Sequence, residues 1–185
     1  MAKPSVFLIG GAPGVGKTTL GRALATRVDA TSLTADDLLT AAKAVTTPKS
    51  HPGLHVMTVV NSIEYFTTSS VEQLAVDATV QHEATWPAIE TVIRKRAAWG
   101  HPIVIDGWFL RPTKVAELDL DGVISFWLIA DPVVLEERER KNIEFFGRSP
   151  NPEQMLQNQA EPAGLVASGQ KFTPRFVTAY PGEDR

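Results

Sequence analysis

Gly11-Ala12-Pro13-Gly14-Val15-Gly16-Lys17-Thr18 follows the pattern G-x-x-x-x-G-K-[ST], and its reading decides the fold. Glycines let the backbone curl so that successive N–H groups converge on phosphate oxygens. Lys17 adds a mobile positive charge for the outer phosphates, and the Thr18 hydroxyl is placed to ligate Mg2+. The flanks agree. Val6-Phe7-Leu8-Ile9 is a short apolar run of the kind found in a buried parallel strand. Leu20, Leu24 and Val28 recur at four-residue spacing, which predicts a helix starting near Lys17 with its N-terminus facing the phosphates. With glycine at about 7% of residues, a chance match in a chain of this length is on the order of 1%.

Downstream, strand and helix patterns alternate. Residues 30–33 read as a short second strand, and Thr34-Ala35-Asp36-Asp37 leads into a helix with a carboxylate in its cap region. Residues 46–53 read as a loop, 54–66 as helical or mixed, and Ser69-Ser70 as the cap of a helix from Val71 to about Glu83. Thr85 then predicts the N-cap of a separate helix with Pro87 in its first turn, ended by Gly100. Ile103-Val104-Ile105 is a third strand closing on Asp106-Gly107, and residues 123–129 are a fourth. Asp131 caps a charged helix, residues 146–150 break it, a further helix covers about 152–166, and Phe176-Val177-Thr178 is a last short strand. Such alternation implies an α/β fold with a parallel sheet covered on both faces. Ligands of such sheets bind at the carboxyl ends of the strands, where residues 11–18, Asp36, Asp37 and Asp106 converge.

Three further elements turn a phosphate cradle into a transfer site. Asp106 ends an apolar strand, a position from which a carboxylate holds Mg2+ or its water ligands; turn chemistry at Asp-Gly is the plainer alternative. Asp36 or Asp37 is placed to accept a proton from an attacking hydroxyl, with Asp36 preferred, and helix capping by one of the pair is compatible with this. Cationic candidates for the transferring phosphoryl group are Arg111, Arg138, Arg140, Lys141 and Arg148, the last in a stretch suited to a lid. For residues 136–141 the alternative is a solvated, charge-laced helix face. Trp86, Trp108 and Phe109 are candidates for the acceptor pocket or the core, and no histidine is assigned a role.

The chain has 185 residues, 43% apolar and 21% charged, as expected for one globular domain spanning 1–185. A net charge of −3 and the absence of a basic run argue against nucleic acid as a partner. The absence of cysteine excludes disulfides. No stretch approaches the ~20 apolar residues of a membrane span, and the N-terminal apolar run is too short for a signal peptide, so a cytoplasmic protein is expected. None of these features encodes an oligomeric state.

With residues 11–18, Asp36-Asp37, Asp106-Gly107 and Arg148 assembled, the chain resembles the small P-loop kinases. That group includes adenylate, shikimate and gluconate kinases, chloramphenicol phosphotransferase and zeta-toxin-like kinases. The resemblance covers most of residues 5–150. It implies a three-layer P-loop NTPase fold with a five-stranded parallel sheet, a small lid around residues 138–151, and ATP with Mg2+ as cofactors. It also implies that Gly11, Ala12, Pro13, Gly14, Val15, Gly16, Lys17, Thr18, Thr19 and Arg138 bind the nucleotide, and that Thr18 and Asp106 hold the metal. Lys17, Asp36, Asp37 and Arg148 would serve the transfer, and Asp36, Trp108 and Arg111 the acceptor. Adenylate-kinase-like members carry an arginine shortly after the second strand, where this chain has Asp36-Asp37-Leu38-Leu39-Thr40; they also place Pro-Arg closer behind Asp-Gly than Arg111 stands here. Both departures favour a small-molecule hydroxyl as acceptor over a nucleotide. The alternatives are a nucleotide or nucleic-acid-end kinase, and a non-catalytic nucleotide switch, for which Asp119-Leu120-Asp121-Gly122 matches a loose D-x-x-G pattern.

Overall fold

In the computed structural model, residues 4–58, 65, 68–131, 133–135, 137 and 138 and the backbone of 175–179 are described. Strand β1 is Val6–Gly11, helix α1 Lys17–Val28, β2 Thr31–Thr34, α2 Ala35–Ala44, α3 Pro52–His55, and α4 Val71–Trp99. They are followed by β3 Ile103–Asp106, α5 Pro112–Ala116, β4 Val123–Ala130 and β5 Arg175–Ala179. Arg140, Lys141, Arg148, the expected lid beyond Arg138 and the expected helix over 152–166 lie outside the described residues.

The strands form one parallel sheet in the order β2-β3-β1-β4-β5. The five-stranded α/β arrangement is as expected. Burial explains the order. All of β3 and nearly all of β1 are buried, and these apolar runs occupy the centre. The polar Thr31-Ser32-Leu33-Thr34 is half-exposed and takes an edge. The chain leaves β1 toward the β2 side, then crosses from β3 over β1 to β4. That reversal opens a crevice at the carboxyl end of β1, where doubly wound sheets bind ligands.

Side-chain alternation along the strands divides the core in two. Val6, Leu8, Ile103, Ile105 and Trp127 point to one face and pack with Trp86, Ile89 and Ile93 of α4. Ile9, Val104, Leu128 and Ala130 point to the other and pack with Val15, Ala25 and Leu135. On α1 the inward face is carried by the small Gly21 and Ala25, while Leu20 is exposed. The apolar stripe of α1 is therefore rotated from the Leu20-Leu24-Val28 line, because the helix lies too close to the sheet for leucine at position 21.

One expectation is corrected. The two helices expected on either side of Thr85 are a single helix, Val71–Trp99, with Pro87 inside it. Thr85 is fully buried, and its hydroxyl donates to the Gln81 carbonyl four residues back instead of capping. An internal proline costs about 3 kcal/mol. Leu74, Ala78, Trp86, Ile89 and Ile93 are all buried along the helix, and burying a large apolar side chain returns about 1.5–3 kcal/mol, so packing outweighs the proline. Ser70 caps α4 by accepting from the Gln73 N–H, and Gly100 ends it at φ 69°, both as expected. The stretch 54–66 is helical at its start, in α3, most of its later part lies outside the described residues, and the short α5 is not among the expected elements.

Gly10 is required by close approach. A β-carbon there would run into the indole of Trp127 and lie 2.8 Å from the Leu110 carbonyl oxygen. The same indole N–H donates to that carbonyl at 2.8 Å and ties β4 to the segment following β3. Gly10→Ala is therefore expected to destabilise the protein by about 1–3 kcal/mol; urea unfolding followed by tryptophan fluorescence measures this, and an unchanged midpoint would contradict the packing described.

Candidate active site

The loop between β1 and α1 turns on three left-handed glycines, Gly11 (φ 135°), Gly14 (φ 78°) and Gly16 (φ 98°). Residues with side chains are strained at such angles. Gly16 stands at the N-cap of α1 with no side-chain cap, so the first N–H groups of the helix are left for an anion. Arg138, on the helical segment after β4, donates to the carbonyls of Gly14 (3.3 Å) and Val15 (3.1 Å) from behind the loop. It braces the backbone of the glycine loop.

Lys17 donates to the Ala12 carbonyl at 2.7 Å across the loop. Burial lowers its ammonium to about 8, against the opposing fields of Asp36 and Asp106. Thr18 follows on α1, and its hydroxyl donates to Asp106 Oδ2 at 2.7 Å. Asp106 is 2% exposed and ends β3, paired in register with Ile9 on one side and Thr34 on the other. A hydroxyl beside a buried carboxylate is a hard oxygen pair, the donor chemistry that suits Mg2+ shared with a phosphate. Among the described residues no group of three His, Cys, Asp or Glu side chains could hold a metal alone, so these oxygens fit an ion that arrives with its phosphate and waters.

The third wall is the start of α2. Thr34 caps the helix by accepting from the Asp36 N–H, and its own hydroxyl donates to Asp36 Oδ2 at 3.3 Å. Although Asp36 reaches solvent, its pKa is raised, first by desolvation and then by the charges of Asp106 and Asp37; the Thr34 hydrogen bond and Lys17 oppose this. Asp36 thus feels both Lys17 and Asp106, whereas Asp37 is not among the charges acting on Lys17. The structure brings Asp36 to the loop lysine and leaves Asp37 beside it.

The segment after β3 completes the arrangement. Gly107 packs so tightly on α2 that an added β-carbon would lie 2.6 Å from that of Ala35. Trp108 is half-buried at the core edge, Phe109 and Trp86 belong to the core, and Arg111 is half-buried, its guanidinium pKa lowered by desolvation. Sequence reasoning missed His82, a buried α4 residue whose ring contacts Trp108 and Phe109 at 4.4 and 4.8 Å between centroids. The D-x-x-G stretch 119–122 lies at the other end of the sheet, where the Gly122 carbonyl accepts from the N–H groups of Ser5 and Val6 ahead of β1. It does not approach the loop as a nucleotide switch would.

The chain belongs to an AAA domain family, whose model matches residues 6–120, more than half of its length. No curated protein matches it in sequence. Among solved structures it is similar to a gluconokinase from Sinorhizobium meliloti 1021, at 15% identity and TM-score 0.57 over 98% of this chain and 86% of that one. It is also similar to a shikimate kinase from Bacteroides thetaiotaomicron, at 18% identity and TM-score 0.55 over 98% and 90%. A sugar kinase from Janibacter sp. HTCC2649 aligns at 16% identity and TM-score 0.51 over 95% and 84%. These likenesses show the fold of the small P-loop kinases.

The lowered pKa of Lys17 has a measurable consequence. Below about pH 8 its ammonium is charged in the free protein, and above it is largely neutral. A polyphosphate favours the charged form, so binding raises the pKa. Nucleotide binding should take up a proton at about pH 8.5 but not at about pH 6.5, and affinity should fall as pH rises through 8. Calorimetry in buffers of different ionisation enthalpy reads the uptake directly, and Lys17→Met should abolish it.

Proposed function

We propose that the protein is an ATP-dependent kinase that moves the γ-phosphate to a hydroxyl group of a small molecule. The observation that carries this reading is the convergence of Lys17, Asp36 and Asp106 at the carboxyl ends of β1, β2 and β3, with Thr18 bonded to Asp106. The loop N–H groups and Lys17 would hold the phosphates. As the acceptor oxygen attacks the γ-phosphorus, its proton passes to Asp36. The new O–P bond forms while the bond to the β-phosphate oxygen breaks, and ADP leaves with that oxygen's electrons. A carboxylate with a raised pKa is a better proton acceptor than an ordinary aspartate. Thr18 and Asp106 would hold Mg2+ or its waters, and the ion's chemistry there is to neutralise charge on the β- and γ-oxygens.

Several assignments complete the proposal. Arg138 keeps the loop in shape, and Arg148, in the Gly147-Arg148-Ser149 stretch of a lid over 138–151, adds charge stabilisation. Asp36, Trp108 and Arg111 face the acceptor. The whole chain acts as one kinase domain in the cytoplasm. No helix among the described residues is long and apolar enough to cross a membrane, and neither membrane nor nucleic acid is a proposed partner.

The test is acceptor-dependent ADP release from ATP with a panel of sugar acids, free sugars, polyols and hydroxylated ring acids. Gluconate and shikimate are included because the structural neighbours named above are kinases of those names. Nucleoside monophosphates and 5′-hydroxyl oligonucleotides complete the panel. At least one small-molecule hydroxyl compound should stimulate release. Asp36→Asn should lower kcat by about 10²-fold or more, while Asp37→Asn stays within a few-fold. Equal activity of Asp36→Asn and wild type would remove the assigned base, and stimulation by nucleotides alone would replace the acceptor class.

A further inference from the structure

Helix α4 carries four buried polar side chains on its inward face: Asp77, Gln81, His82 and Thr85. Three are satisfied within the chain. Asp77 accepts from the Tyr65 hydroxyl and the Gln73 amide, Gln81 donates to the Leu54 carbonyl, and Thr85 donates to the Gln81 carbonyl. His82 is the exception. It is 8% exposed, and its Nε2 is buried with no hydrogen-bond partner among the described residues. Native proteins seldom leave such an atom unpaired.

The neighbours of the imidazole ring place it beside the strand ends. The His82 ring meets Trp108 edge-on and leans on Phe109. Those residues are the second and third after Asp106. Between them and Asp106, Gly107 is pressed against Ala35, the residue before Asp36. The imidazole is therefore built into the same strand-end wall as the proposed base and the proposed metal-side carboxylate. Burial, with the nearby charge of Arg111, lowers the imidazole to about 3, so the ring is neutral at working pH and offers one N–H and one lone pair. A neutral imidazole packed on a half-buried indole suits a carbon skeleton bearing both C–H and O–H groups. It does not suit a phosphate.

We propose that His82 Nε2 recognises the acceptor, taking a hydroxyl group of a polyhydroxylated small molecule against Trp108. For the identity of its ligand this rests on the kinase reading. In that role His82 sets affinity for the acceptor and leaves nucleotide binding alone.

The experiment uses full-length protein labelled with 15N in its histidine rings, saturated with ADP and titrated with each member of the acceptor panel. His82→Phe and His82→Gln are assayed alongside for turnover. A true acceptor should shift the His82 Nε2 resonance saturably. His82→Phe should raise the acceptor KM about tenfold or more while the ATP KM stays within twofold, and His82→Gln, which restores a polar group, should recover part of the loss. Wild-type turnover of an acceptor that leaves the His82 resonance unmoved overturns the inference and leaves the kinase reading intact. An unchanged acceptor KM in both variants does the same. A saturable His82 shift by a polyhydroxylated compound that is never phosphorylated upholds the binding site and overturns the kinase reading. If no compound shifts the resonance and none is phosphorylated, both are overturned. Should His82→Phe fail to fold, the wild-type titration and His82→Gln decide the matter.

Discussion

The hydrogen bond from Thr18 to Asp106 joins the first turn of α1 to the last residue of β3. Most of the site depends on it. For the hydroxyl to reach the carboxylate, α1 must lie close on the sheet, and its inward residue there is Gly21: a β-carbon at that position would be in van der Waals contact with Asp106 Oδ1 at 3.5 Å. That approach sets the direction of the helix N-terminus, and with it the orientation of the glycine loop that precedes it. The loop is held from the other side by Arg138, whose guanidinium takes up the Gly14 and Val15 carbonyls. With those two carbonyls satisfied by Arg138, and with no side-chain cap at Gly16, the first N–H groups of α1 are left for an anion.

The electrostatics of the crevice follow from the same contacts. Lys17 stands between Asp36 and Asp106 and is stabilised by both, yet burial outweighs them and lowers its pKa. Asp36 suffers the reverse, its charged form disfavoured by desolvation and by two neighbouring carboxylates, with Lys17 in partial compensation. In the free site the charged forms of Lys17 and Asp36 are thus both disfavoured relative to their ordinary states. Polyphosphate would favour the lysine's charged form, while an acceptor hydroxyl can pass its proton to a carboxylate already inclined to take it. Neither effect needs a conformational change, only groups placed at the ends of adjacent strands.

The glycine loop and the carboxylate that meets Thr18 were legible in the sequence because their signals are local. A run of eight residues specifies the loop, and an apolar tetrapeptide ending in aspartate specifies β3 and Asp106. Asp36 was legible through capping: Thr34 followed by two acidic residues is a helix start, and strand alternation places that start at the sheet's carboxyl end. The surroundings of His82 were not legible, for one reason. Thr85 and Pro87 carry strong local signals for a new helix, and these signals lose to the burial of Trp86, Ile89 and Ile93 against the sheet. Splitting α4 at Thr85 leaves His82 in the last turn of a short helix, where a histidine is unremarkable. Once the helix is continuous, His82 falls on the same stripe as Leu74, Ala78, Ile89 and Ile93, and its burial follows from spacing alone.

The continuity of α4 also bears on how the two halves of the site are kept distinct. The helix begins beside Tyr65 and Asp77, passes behind Trp108, and ends at Gly100 under the N-terminal edge of β3. A single rigid element therefore fixes His82 relative to the strand that ends in Asp106. The segment between them is pinned again by the Trp127 indole at Leu110. The glycine loop, Lys17 and Arg138 gather at the start of α1, suited to a highly charged ligand. The His82 imidazole and the Trp108 indole pack together on the segment after Asp106, and Asp36 lies in the fields of both Lys17 and Asp106. The Lys114–Glu83 ion pair, at 2.9 Å, further offsets positive charge beyond Arg111. On the proposed kinase reading, a ligand entering there would be selected for hydroxyl groups and against anionic charge close to Asp36. That selection would give physical content to the missing arginine after β2: a proton acceptor would stand where a phosphate-binding cation would otherwise be.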